Sequence, residues 1–298
     1  MNIKNVTVVF KKSSYELYGK VRRDKNFLRL LSDKDPIVKR FIPSHEIHRH
    51  SLEALEKLLL RKGICAAYVY RAKEFSEKNA DLILTLGGDG TFLEASHSVQ
   101  KVPILGINSN PADSVGMFCG KTVGELDEFL DRMMADLEKP MQMSRLTAKL
   151  GNDKPVRPIL NDILIANSNP AATSRIIVEV AGVREELKCS GMWIAPAAGS
   201  TAGIRSAGGD VLPLRSKKFQ IVVREPYILP GSSYKLLRKT LPPESKVVVY
   251  SKMRTGGIFF DGSHKQHPFS LGQKVVITND APPLQVFGFN EKRRKLFE

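Results

Sequence analysis

Cysteine is scarce in this 298-residue chain: Cys65, Cys119 and Cys189 are its only three. They lie far apart and form no CxxC pair, which excludes a disulfide framework and fits a reducing compartment. Long apolar runs are also missing. No stretch approaches the roughly 18 consecutive apolar residues that a membrane-spanning helix needs. Met1 to Asn5 lead straight into the short apolar run Val6 to Phe10, with no signal-peptide core, cleavage site or Arg/Ser-rich transit segment, so a cytoplasmic protein is expected, with an organellar one as the alternative. Aromatic residues make up only 7% of the chain, and Trp193 is the single tryptophan, in an apolar strand that reads as core. The basic-aromatic interleaving of RNA-binding sheets is not seen. Acid is in deficit, with 31 Asp and Glu against 46 Lys and Arg, a net charge of +15. That balance favours anionic partners: nucleic acid, an acidic membrane surface or phosphorylated small molecules. The cations are dispersed; only Lys292-Arg293-Arg294-Lys295 cluster tightly, and they read as a solvated tail. His45, His48 and His50 lack a cysteine or third carboxylate at zinc-like spacing and read as a solvated helix start.

What is present falls into two styles. In the first half, strand-like runs alternate with helical ones. Val6–Phe10, Ile64–Tyr70, Asp81–Leu86 and Pro103–Ile107 read as strands, the first and third of them of the buried type. A helix capped by Ser44 carries Ile47, Leu52, Leu55, Leu58 and Leu59, with Gly63 past its end. A second helix covers Thr91 to Gln100. A third follows the capping-box pair Thr122 and Glu125 and buries Leu126, Phe129, Leu130, Met133 and Leu137. Such alternation predicts a parallel sheet with helices on its faces. After Lys139-Pro140 the pattern changes to short strands punctuated by Gly, Pro, Asn and Ser: 146–150, 159–166, 175–181, 192–195, 220–223, 246–250, 258–260 and 274–278. One helix is expected near Ser200.

The chemistry-bearing stretch is Leu82-Ile83-Leu84-Thr85-Leu86-Gly87-Gly88-Asp89-Gly90-Thr91. Two glycines close a buried strand; an acid, a third glycine and a hydroxyl then open a helix. Glycines let backbone N–H groups approach phosphate oxygens, and a helix N-terminus adds partial positive charge. In open α/β sheets ligands bind beyond the carboxyl ends of the strands, where this loop lies. A carboxylate inside a phosphate cradle repels the ligand unless it serves the chemistry, by holding Mg²⁺, positioning a sugar hydroxyl or accepting its proton. The bland reading makes Asp89 a helix cap. The loop is neither a Walker A sequence nor GxGxxG, which argues against dehydrogenases.

Gly87-Gly88-Asp89-Gly90-Thr91 resembles the GGDGT motif shared by NAD kinases, diacylglycerol and sphingosine kinases and, more distantly, phosphofructokinases. Further segments resemble the NAD kinase branch. Gly106-Ile107-Asn108 is similar to its GIN segment. Ser109 to Phe118 then intervene before the position of the usual Gly-x-Leu-Gly-Phe pattern, as in divergent organellar and plant NADH-kinase-like members. Asn161-Asp162 resembles the family's Asn-Glu pair. Ser190 to Gly209 is similar to its DG…TPTGSTAY…SAGG segment, with Ser190 where Asp is usual and Gly203 where Tyr usually stacks on the ligand. Asp261-Gly262 resembles a later Asp-Gly segment, although a plain hairpin turn fits nearly as well.

The resemblance implies an α/β plus β protein. A Rossmann-like nucleotide-binding domain spans 1–140, with a tail of about 282–298 packing back on it; a β-rich, β-sandwich-like dinucleotide-binding domain spans 141–281, with the site between them. It implies an ATP-dependent kinase acting on the adenosine ribose 2′-hydroxyl of NAD⁺ or NADH. Asp89 orients or deprotonates that hydroxyl, and Gly87, Gly88, Gly90 and Thr91 cradle triphosphate. Asn108, Asn161, Asp162, Thr201, Ala202 and Ser206 contact the nucleotides. No carboxylate cage is visible, so Mg²⁺ is expected to arrive on the nucleotide. A homodimer or larger oligomer is expected, without nucleic-acid or membrane partners. The alternatives are a lipid kinase of the diacylglycerol or sphingosine type, and a non-catalytic NADP(H)-binding protein.

Overall fold

A computed structural model describes residues 1–151 and 158–296. The chain divides into two compact units: Met1–Met141 with Gln285–Phe297, and Gln142–Leu284.

The first unit runs β1 (Asn5–Phe10), α1 (Lys25–Ser32), α2 (Phe41–Arg61), β2 (Cys65–Tyr70), β3 (Leu82–Gly87), α3 (Asp89–Ser96), β4 (Ile104–Asn108) and α4 (Val123–Met134). Its strands lie parallel in the order β2-β1-β3-β4. Every residue of β3 and β4 is buried, as expected for strands covered on both faces. Leu55 and Leu59 of α2 and Leu126 and Leu130 of α4 pack with Val8, Leu84 and Leu105 of the sheet in one apolar core. The capping box forms, with the Thr122 N–H donating to Glu125 at 2.9 Å.

Several local expectations are corrected. Helix α2 starts at Phe41, so Ser44 lies inside it, where its Oγ accepts from Asn110 Nδ2 at 2.9 Å. Pro43 is tolerated there because first-turn N–H groups have no helical partner. Helix α3 starts two residues early, at Asp89, and stops at Ser96, whose Oγ donates to the Leu93 carbonyl at 2.7 Å. Leu137 falls beyond α4 and is exposed. His45 and His48 are buried rather than solvated. The segment after β1 folds onto α2, pairing His45 Nδ1 with Ser13 Oγ at 2.9 Å and His48 Nε2 with the Lys11 carbonyl at 2.8 Å.

The second unit runs β5 (Met141–Leu150), β6 (Ile163–Asn167), β7 (Ser174–Val180), β8 (Val183–Cys189), β9 (Gly191–Pro196), α5 (Gly203–Ser206), β10 (Phe219–Arg224), β11 (Arg238–Leu241), β12 (Val247–Ser251), β13 (Gly256–Phe260), β14 (Lys265–Pro268) and β15 (Lys274–Phe287). One antiparallel sheet has the order β11-β10-β9-β6-β13-β14; the start of β15 pairs with β12, which continues to β7 and β8. Ile165, Ile194, Ile221 and Ile258 of the first sheet share a core with Ile176, Val178, Val249 and Ile277 of the second. This is a β-sandwich arrangement. The 159–166 run begins its strand only at Ile163; residues 159–162 form a bridge and a bend instead. Strands β8, β11 and β14 are additional to those expected from sequence.

The last two residues of β15, Val286 and Phe287, pair with β4 in the first unit, and α6 (Glu291–Lys295) follows. The C-terminal basic cluster is therefore not a free tail: Arg294 is 5% exposed and Arg293 is half-buried.

Candidate active site

The strand-to-helix turn forms where the glycines predicted it. Gly88 takes extended backbone as the N-cap of α3, and its carbonyl accepts from the Thr91 N–H at 2.9 Å. Two of the glycines are closely approached by side chains. A Cβ on Gly87 would overlap the Thr91 hydroxyl, and one on Gly88 would lie 2.5 Å from Ser114 Oγ. Gly90 differs: a Cβ there would meet only Arg71 Nη1, at 3.5 Å. Thr91 is 1% exposed, and its hydroxyl has no hydrogen-bond partner among the described residues.

Asp89 caps nothing in its own helix. Its carboxylate accepts from the Met117 N–H at 2.9 Å and the Phe118 N–H at 2.7 Å. The same segment is held from its carbonyl side by Arg293, whose Nε donates to Met117 O at 3.0 Å and Nη2 to Gly116 O at 2.7 Å. Gly116 turns there with φ +57°, which only glycine adopts freely. Asn108, buried at the end of β4, spends its amide on the same loop. Its Nδ2 donates to Ser114 O at 3.0 Å and its Oδ1 accepts from the Asn110 N–H at 3.1 Å. The residues inserted after the Gly-Ile-Asn segment thus wrap around Asp89. Cys119, just beyond, has its thiol pushed up to about 12 by burial and then by the Asp89 charge, so it stays protonated.

Two cations outside every motif stand at this loop, and sequence reasoning missed them. Lys11 directly follows β1, and Arg71 directly follows β2. Burial, and next the Arg71 charge, hold the Lys11 ammonium below the usual lysine range. Their signal was positional: each is the first residue past a parallel strand's carboxyl end.

In the second unit, Asn161 and Asp162 sit on a scaffold made by Asp261. That residue turns after β13 with φ +49°, and its carboxylate accepts from the Leu160, Asn161 and Asp162 N–H groups at 3.1, 2.6 and 3.1 Å. Asp261 is thus both the turn and the support. Asp162 is 5% exposed, and burial, then the Asp261 charge, push its carboxyl up to about 7. Asn161 Nδ2 donates to it at 3.4 Å. Gly199 lies against Asn161 so closely that any Cβ would overlap the Asn161 carbonyl. Ser200 is buried, donating to Ala197 O at 2.7 Å and accepting from the Leu212 N–H at 3.0 Å. Thr201 and Ala202 are half-buried and lead into the short helix α5, whose last residue, Ser206, is exposed. A Cβ on Gly203 would lie 2.9 Å from the Trp193 ring. Trp193, expected in the core, is half-buried and walls a cavity of about 550 Å³ with Gly203, Ser206, Ala207, Arg224 and Glu225.

Each unit therefore presents one built constellation: a glycine loop with a clamped acid and two cations, and an Asn-Asp pair with small residues behind it. Residues 8–135 match the family model described as the ATP-NAD kinase N-terminal domain. The protein of Arabidopsis thaliana named NADH kinase is 35% identical over 288 residues, covering 85% of this chain and 88% of that protein. Among solved structures, a yeast NADH kinase complexed with NADH superposes with a TM-score of 0.74 at 16% identity, covering 100% of this chain and 87% of that one. An Archaeoglobus fulgidus NAD kinase in complex with ATP gives 0.69 at 22%, covering 98% and 96%. With the GGDGT loop and the sequence likeness along most of the chain both in place, the chain belongs to the NAD kinase family.

Proposed function

We propose that this chain transfers the γ-phosphoryl group of ATP to the 2′-hydroxyl of the adenosine ribose of NAD⁺ or NADH, giving NADP(H). The observation that carries the reading is the Gly87–Thr91 turn, closed to a side chain at Gly87, tight against Ser114 at Gly88 and open at Gly90, in a member of this family. In this reading the loop and the start of α3 receive the triphosphate. Asn161 and Asp162 take the ribose diol and base of the dinucleotide, and Thr201, Ala202 and Ser206 line its pocket. Family membership leaves the lipid-kinase alternative without support.

Phosphoryl transfer asks chiefly for positioning. Both Asp89 oxygens already accept an amide N–H, and each keeps a lone pair for a further donor. The acid can thus orient the ribose hydroxyl. The hydroxyl oxygen forms the new bond to the γ-phosphorus, the bond to the β-bridging oxygen breaks, ADP leaves with its electron pair, and the hydroxyl proton passes to Asp89. Beside Asp89, which two backbone amides already engage, the charges bordering the glycine loop are the cations Lys11 and Arg71, a set that suits phosphate oxygens and offers no second carboxylate for a resident Mg²⁺. The ion is accordingly assigned to the incoming ATP. The acid retained at Asp89 favours an enzyme over a silent NADP(H)-binding protein, and by family resemblance we take the active form to be a homo-oligomer in a reducing compartment.

The test is turnover of purified protein with MgATP and each dinucleotide. Asp89→Asn is expected to lower kcat by about 10²- to 10⁴-fold, with NADP(H) read by a coupled dehydrogenase. An unchanged rate removes Asp89 from the chemistry, and no NADP(H) from intact protein with either dinucleotide removes the activity.

A further inference from the structure

The carboxyl ends of three adjacent strands carry charge in a pattern the family motifs do not include. In the sheet, Phe10 is level with Tyr70 on one side and with Leu86 on the other. Arg71, Lys11 and Gly87 are therefore the next residues along three neighbouring strands. The backbone stays stitched at this level: the Arg71 N–H donates to Phe10 O at 2.9 Å, and the Lys11 N–H reaches Leu86 O at 3.4 Å. His48, buried on α2, fixes the same turn by donating from Nε2 to Lys11 O at 2.8 Å. Burial holds its pKa below the ordinary histidine value.

Neither cation has found an acid. Among the described residues, no salt bridge forms from the Lys11 ammonium or the Arg71 guanidinium. Asp113 is the carboxylate that acts most on Lys11, and it is already engaged by Asn110 Nδ2 at 3.0 Å and by Arg40 at 3.8 Å. Two like charges held beside each other, both half-buried, oppose folding unless an anion joins them. Arg71 Nη1 stands over the open side of the loop at Gly90, and Lys11 leaves the adjoining strand within range of the Arg71 charge. The buried, unpartnered Thr91 hydroxyl points into the same turn.

We propose that Lys11 and Arg71 are phosphate-binding residues, forming with the Gly87–Thr91 turn a clamp for the polyphosphate of the nucleoside triphosphate. The clamp rests on the kinase reading for its natural ligand but not for its chemistry, which any linear polyphosphate shares. Arg71 supplies a planar, multi-donor fork and Lys11 a point charge. The clamp binds the phosphoryl donor and takes no part in holding the dinucleotide.

The experiment is calorimetric titration of the full chain with sodium tripolyphosphate. The wild type is expected to bind, Lys11→Met and Arg71→Met each to lose at least about 10-fold in affinity, Arg71→Lys to fall between, and Lys57→Ala, an exposed cation on α2, to match the wild type. In turnover, Lys11→Met and Arg71→Met raise the KM for ATP by a similar factor and leave the KM for dinucleotide within about twofold. Methionine variants that bind tripolyphosphate as tightly as the wild type, or a wild type that does not bind it, overturn the clamp. If the wild type phosphorylates no dinucleotide yet tripolyphosphate binding weakens in both variants, the clamp stands and the kinase reading falls. Should a variant fail to fold, amine labelling of wild-type Lys11 with and without tripolyphosphate, read by mass spectrometry, decides the matter: protection supports the clamp, and equal labelling overturns it.

Discussion

The two constellations are electrostatic opposites. In the first unit, the turn at Gly87–Thr91 is bordered by Lys11 and Arg71, and its one acid is satisfied by two backbone amides. In the second, Asp162 is buried close to another carboxylate, and its ionised form is held back until about pH 7. The difference teaches a division of labour. A cationic rim beside glycine amides suits a polyanion. A desolvated acid that ionises with difficulty suits neutral sugar hydroxyls, which can donate to it once it is charged.

The sharpest way to break this contrast is to remove Asp261. Asp261→Ala leaves the Leu160, Asn161 and Asp162 N–H groups without their acceptor and is expected to cost about 3 kcal/mol of stability. It should abolish dinucleotide binding while tripolyphosphate binding in the first unit persists, measured by chemical denaturation and calorimetry. Loss of both together would refute two independently built sites.

Next in size is Asp162→Asn. The folded acid titrates near 7 and the unfolded one near 3.8, so above about pH 4 the unfolded chain holds fewer protons than the folded chain. Stability therefore falls as pH rises from about 4 to 7, and the penalty is complete above 7. The asparagine variant should be more stable than the wild type by about 2 kcal/mol at pH 8 and by much less at pH 4, in urea melts. The wild-type KM for dinucleotide should improve from pH 6 to 8, and that trend should disappear in the variant.

The smallest effect sharpens the first unit. Arg293→Met removes two hydrogen bonds to the 116–117 carbonyls and should cost about 1–2 kcal/mol. Because those residues hold Asp89, kcat should fall several-fold with the KM for ATP little changed. A KM effect alone would show that Arg293 acts on the ligand and not through the loop.

The first-half strands could be read from sequence because continuous apolar runs such as Leu82–Leu86 have one buried destination. The glycine turn was legible for a similar reason: its backbone demand leaves few alternatives. Strand β8 escaped because Arg184, Glu185, Glu186 and Lys188 dominate it, and only Leu187 and Cys189 are buried. The histidines were misjudged because their partners, Ser13 and Lys11, lie more than thirty residues away. Lys11 and Arg71 were hidden among 46 basic residues, and only strand register sets them apart. Asp261 looked like a turn because its three acceptor bonds reach about a hundred residues back along the chain.

The hold of Arg293 on the segment that donates to Asp89 has a consequence for biosynthesis. The first unit begins at Met1 but takes in Gln285–Phe297, so some 140 residues of the other unit are translated in between. While the ribosome is still making them, the amide donors for Asp89 exist but their bracing arginine does not. The brace behind the Asp89 amide donors therefore comes into place only after the β-rich half has been synthesised.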